Sequence, residues 1–194
     1  MQKVKEVARD LNKIPAFSAV VPSVFKVADK FTEDNPEVKI VKLSKDFIRL
    51  FGDKVETSAV NSFTIYGHLL ALPIKDIAVF NRLSKIEKAI SPLGAVYDLL
   101  EQQPCCEEGD LVNGEEANVF YARDIFGKIQ AITLHGTNDG WKVLVFSTDD
   151  FKPWEIGCKI HLLEPLVSLV SSQAVSRKSS RRLGHVPISA INYA

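Results

Sequence analysis

A chain of 194 residues is long enough for one domain with a substantial core, or one domain with a small appendage. Hydrophobic content of 46%, charged content of 25% and a formal net charge of zero are ordinary for a soluble globular protein, so total charge selects no partner. The N-terminus lacks the apolar run of a secretory signal, no stretch approaches the roughly 18–20 apolar residues that span a bilayer, and three cysteines make no disulfide framework. The expectation is a cytoplasmic protein without a membrane span.

Val4, Val7, Ala8 and Leu11 recur at helical spacing, which predicts an amphipathic helix over 2–13 that stops before Pro15. Pro22 suits the first turn of a second helix carrying Val24, Val27, Ala28 and Phe31 on one stripe and ending at Asn35-Pro36. Residues 37–43 are rich in β-branched side chains and read as a strand. Ser44 offers an N-cap to a short helix lined by Phe47, Ile48 and Phe51, which Gly52 is placed to end in a left-handed conformation. Residues 54–66 alternate as one or two strands closed by Gly67.

The apolar run from Ile77 to Phe80 fits a buried strand or the opening of a helix equally well. Ser84-Lys85-Ile86-Glu87 fits a capping box, and Ser91-Pro92 makes a second start signal before the buried stripe Leu93, Val96, Tyr97 and Leu100. Cys105–Ala117, acidic and holding two glycines, reads as an exposed connection.

Residues 118–163 organise the rest. Four blocks of β-branched and aromatic residues are separated by Phe126-Gly127, by the loop Gly136–Gly140, and by the longer connection 149–154 with its Pro153. In the third block Trp141, Val143 and Val145 alternate with Leu144 and Phe146, so both faces are apolar and the strand reads as central; Arg123 and Asp124 make the first block read as an edge. The fold class is therefore α+β, with N-terminal helices packed on an antiparallel β-meander of four strands in 118–163, which strands from 38–66 can extend. Residues 1–164 form a single α+β domain in this reading, helix-rich over 1–104, with an acidic loop at 105–117 and the meander at 118–164. Residues 165–194 then form a short helix and a flexible basic tail.

Charge is polarised along the chain. Residues 98–155 hold twelve acidic against four basic side chains, whereas 156–194 hold one against five. The basic end can attract phosphates or fold back onto the acidic surface.

No catalytic constellation emerges. There is no Gly-x-Ser-x-Gly elbow, glycine-rich phosphate loop or His-Glu-x-x-His pair. Cys158 and His161 have the look of a metal knuckle, but their odd separation in one strand sends them to opposite faces, so no metal site and no cofactor is expected. Cys105 and Cys106 precede Glu107 and Glu108, whose charge disfavours a thiolate nucleophile. The acid pairs Glu107-Glu108, Glu115-Glu116 and Asp149-Asp150 fall in loops, where solvated charge is the ordinary role.

What remains is a set of candidate binding residues. His135, Asp139 and Trp141 surround one hairpin, and Phe126 and Trp154 sit at loop positions where an exposed aromatic would mark a contact surface. Arg177, Lys178, Arg181 and Arg182 form the basic tail. The sequence reads as a non-enzymatic protein-binding or accessory protein, an adaptor whose partner is another protein, with oligomeric state unspecified. The alternatives are an enzyme of unrecognised type with a site near His135 and Asp139, or a nucleic-acid-associated protein using the tail.

Overall fold

The computed structural model describes residues 16–150 and 152–166. The expected helix over 2–13, most of the segment 165–194, and the basic residues Arg177, Lys178, Arg181 and Arg182 lie outside the described residues. Among the described residues the fold is α+β, with a mixed seven-stranded sheet, a two-stranded antiparallel ribbon and four α-helices.

Strand β1 is Ala16–Val20, and β2 is Val24–Lys26. The helix expected from Pro22 to Asn35 is reduced to one turn, α1 (Val27–Lys30). The stripe Val24, Val27, Ala28, Phe31 has helical spacing, but Val24 is exposed while Phe25 is buried, so side chains alternate until Val27. Strand β3 (Ile40–Leu43) follows, then α2 (Lys45–Phe51), whose first turn is capped by Ser44 Oγ accepting from Phe47 N–H at 3.1 Å. Gly52 ends α2 in a right-handed conformation, φ −53° and ψ −46°, not the left-handed one expected.

The stretch expected as strands after residue 54 forms β4 (Val55–Thr57), which pairs with β2 in the ribbon, and β5 (Ser62–Leu69). Gly67 does not close β5; it lies within it, opposite His161. The apolar run at 77–80 is helical, in α3 (Asp76–Phe80). Ser84 caps no α-helix: its N–H and Oγ both donate to Glu164, and only a 3-10 turn, Ile86–Lys88, follows. Pro92 then precedes α4 (Leu93–Glu101), in which Leu93, Val96, Tyr97 and Leu100 are buried as expected.

Strands β6 (Asn118–Arg123), β7 (Ile129–Thr137), β8 (Gly140–Ser147) and β9 (Lys159–Leu162) occupy the region read as a meander. Gly127, at φ +80°, makes the β6–β7 turn that a side chain would strain. Only the first three strands meander. Strand β9 leaves β8, crosses the sheet and inserts between β5 and β6, parallel to β6, giving the order β1-β5-β9-β6-β7-β8-β3. Strand β3 closes the far edge parallel to β8.

This topology moves the edge. Strand β6, expected at an edge, is central, and Val119, Phe120, Tyr121 and Ala122 are buried on both faces. Arg123 is exposed at its end and Asp124 lies in the turn beyond, so the charged pair stops the strand rather than marking a sheet margin. Strand β8 is one place from the edge, with Trp141 and Val143 buried on one face but Phe146 40% exposed on the other.

The sheet has a core on each side. On one, Phe120, Ile132 and Trp141 pack under α4, α2 and the β2–β4 ribbon, with Tyr97, Phe47, Phe51 and Phe25 descending from these elements. Each such large side chain contributes about 1.5–3 kcal/mol by leaving water. On the other, Val119, Tyr121, Ala131, Ile160 and Leu162 are covered by Ile74, Val79 and Ala89. On the first face the cover combines the short helices α2 and α4 with the β2–β4 ribbon, and the sheet they cover is mixed, not an antiparallel meander. The second cover is short and stops over the sheet centre, leaving part of the β7–β8 face open.

The loop 105–117 is less exposed than its composition implies. Gln103, itself buried, accepts from Leu111 N–H at 2.6 Å and donates to Glu107 O and Leu111 O, pulling Leu111 into the core.

Candidate functional site

Where the second cover stops, a cleft of about 340 Å³ opens on the β7–β8 face. His135 of β7 and Phe146 of β8 share this face by strand alternation, Ala117 and Cys158 form the floor, and the loop Pro153–Ile156 makes the far wall. Glu115, Glu116 and Glu155 also line it. The lining is mainly carbon with three carboxylates and no lysine or arginine.

Trp154 is the best anchored of the wall residues. Its indole N–H donates to Asp76 Oδ1 at 2.5 Å, and the same oxygen accepts from the buried Tyr121 hydroxyl at 2.5 Å. Phe146 meets the Trp154 ring edge to face, with centroids 5.9 Å apart. Burial pushes the Asp76 carboxyl above the usual carboxylate range, against the lowering effect of the two donors, and burial pushes the Tyr121 hydroxyl far up. The aromatic wall therefore hangs from a buried carboxyl group on α3.

An apolar margin extends outward from the wall. Leu70 exchanges backbone hydrogen bonds with Cys158 and Gly157, and Ile74 pairs with Trp154, so residues 70–74 run beside 154–158 and set Leu72 across from Ile156. Both are exposed, at 74% and 60%.

The site residues expected from the sequence separate. Trp154 and His135 line the cleft. His135 has both ring nitrogens engaged, Nδ1 with Glu115 O at 3.0 Å and Nε2 with Thr133 Oγ1 at 3.1 Å, so it braces the acidic loop against β7. Asp139 is exposed at the β7–β8 turn, where its N–H donates to Thr137 Oγ1. Trp141 is fully buried on the opposite face, its indole N–H donating to Gln103 O at 2.7 Å. Phe126 is 74% exposed at the β6–β7 turn, beside a recess lined by Asp46, Arg49 and Lys128.

Sequence reasoning noticed Glu115-Glu116 only as loop charge and Phe146 only as a strand residue. It gave Asp76 no role. The signal available was the coincidence of carboxylates and aromatics in two separate segments, without any mark of their adjacency.

Cys158, just before β9, packs in the core on one side of the sheet while His161 stacks on Phe120 on the other, and among the described residues no three His, Cys, Asp or Glu side chains are grouped to hold a metal ion. Burial pushes the Cys106 thiol up, away from thiolate character. A recess of about 530 Å³ between α1 and α2 is walled by Val27, Phe31, Leu43, Phe47 and Ile48, and its Glu33 accepts from Leu43 N–H. No helix among the described residues is long and apolar enough to cross a membrane. The chain matches no protein-family model, no curated protein and no solved structure.

Proposed function

We propose that this is a protein-binding accessory protein that takes a short basic and apolar segment of a partner protein into the Trp154 cleft. The observation that carries the reading is the pairing of a fixed aromatic wall with three carboxylates at the same opening. Apolar side chains of the ligand enter against Phe146, Trp154 and Ile156, while Arg or Lys residues meet Glu115, Glu116 and Glu155. Preorganisation by Asp76 lowers the entropy lost on binding, because Trp154 need not be immobilised. The small opening places such a contact in the weak, transient class of interface.

The test is fluorescence polarisation of labelled peptides that alternate Lys or Arg with Leu or Val, against peptides carrying Glu in place of the cations. The basic set binds, more weakly as salt rises, and Glu116→Lys or Trp154→Ala reduces affinity tenfold or more. Equal binding of both sets, or no binding by either, overturns the reading.

A further inference from the structure

We infer that the cleft's resident occupant is the protein's own C-terminal segment, 167–194, which competes with a partner segment for it. The inference rests on the binding reading above and adds the identity of one ligand. Three observations support it. Beyond Leu166 the sequence runs Val167-Ser168-Leu169-Val170 and then reaches Arg177, Lys178, Arg181 and Arg182, with no acidic residue to the end. Apolar followed by basic is the chemistry the cleft presents in complement, carbon walls with a carboxylate rim.

The point of departure is the second observation. Leu166 packs against the same hydrophobic cluster as Trp154 and Cys158, and its N–H donates to His68 Nε2 at 3.3 Å, so the chain leaves the described fold on the face that carries the cleft. Reach is the third. Arg177 lies eleven residues beyond Leu166, and eleven extended residues span about 36–40 Å. A fold of this size has a radius of gyration of about 15 Å, so the basic cluster reaches any part of this face.

Tethering makes even weak docking effective. A tether of this length holds the segment at an effective concentration of about 1 mM, so an intrinsic Kd of about 0.1 mM keeps the cleft occupied roughly ten times out of eleven. A competing basic segment then binds about tenfold more weakly than to an open cleft.

The experiment compares two full-length proteins, the wild type and a variant in which Arg177→Gln, Lys178→Gln, Arg181→Gln and Arg182→Gln remove the tail's charge without touching the fold. The probe is a fluorescein-labelled peptide alternating Lys with Leu. The variant is expected to bind it about tenfold more tightly, and an unlabelled peptide of residues 167–187 is expected to displace it from the variant, less so when Glu116→Lys is added. Equal probe affinity in the two proteins overturns the inference while leaving the cleft a protein-binding site. Absence of probe binding in both overturns the binding reading and this inference together. A wild type that sediments as a dimer, with a monomeric variant, overturns the intramolecular form by placing the tail on a second copy.

Discussion

Asn118 Oδ1 lies 3.2 Å from His161 Nε2, and this contact fixes which nitrogen of the buried imidazole carries its proton. The same oxygen accepts from Val112 N–H at 2.9 Å, while Asn118 Nδ2 donates to Val112 O and Leu134 O. With the amide so oriented, His161 Nε2 must donate. Its Nδ1 is left bare and without a partner, in a ring stacked on Phe120 at 4.3 Å.

Stability should therefore fall in mild acid. Burial, with lesser repulsion from Lys159 and His68, holds the His161 imidazolium far below the ordinary histidine range. A depressed histidine means that the unfolded chain binds the proton first, so the stability present above about pH 6.5 is lost as pH falls below it, at about 1.4 kcal/mol per pH unit. His68, also depressed by burial, adds loss of the same sign. Urea unfolding between pH 7.5 and 5 is expected to show this slope, and His161→Gln to flatten it while lowering stability at pH 7.5. A slope unchanged by the substitution would refute the assignment.

Asp76 titrates in the opposite sense. Its raised carboxyl costs stability above its folded pKa, a cost that fades as pH falls through that value toward 3.8. Asp76→Asn keeps an acceptor oxygen for Tyr121 and Trp154 and is expected to be at least as stable as the wild type at pH 7, the gap closing in acid. Asp76→Ala leaves both donors unpaired and should cost about 2–4 kcal/mol. Denaturant midpoints for the three proteins decide the matter.

Gln103→Leu should destabilise by about 2–3 kcal/mol, because Leu111 N–H and O lose their partners inside the protein. Limited proteolysis is expected to cut the variant within 105–117 first. Protection equal to the wild type would show that the loop is held by other means.

The two exposed aromatic candidates should behave differently. Phe126→Ser removes a side chain that is 74% exposed and should change stability by no more than about 0.5 kcal/mol, with basic-peptide binding unaltered. Trp154→Ala is expected to weaken that binding tenfold or more. Peptide titrations of both variants distinguish a single contact site at Trp154 from one shared with the β6–β7 turn.

Local chemistry was readable where it is local. Ser44 caps α2, the Phe126-Gly127 turn joins β6 to β7, and the stripe on α4 is buried, because each depends on neighbours within a few residues. The helix drawn through Val24, Val27 and Phe31 went astray because the strand partner of Val24–Lys26 lies about thirty residues on, at Val55–Thr57. The strand blocks of 118–163 were found, yet nothing in a two-residue period tells β9 to pair with β6 instead of β8. The cleft suffered likewise. Trp154 and His135 stand singly in the sequence; the β6–β7 register sets His135 beside Glu115, whereas only the crossover into β9 brings the Trp154 segment to the same place.

The placement of β9 bears on how the chain matures as it is synthesised. Among the described residues, 16–147 can pair within the large sheet only as two unjoined halves, β1 with β5 and β6-β7-β8-β3, since the piece that seats between them is the last of the described strands to be made. A nascent chain therefore carries two raw edges until Leu162 emerges. Its vulnerability to misassociation is concentrated in that interval, and a stop codon only a few residues upstream of Lys159 would leave the halves permanently unsewn.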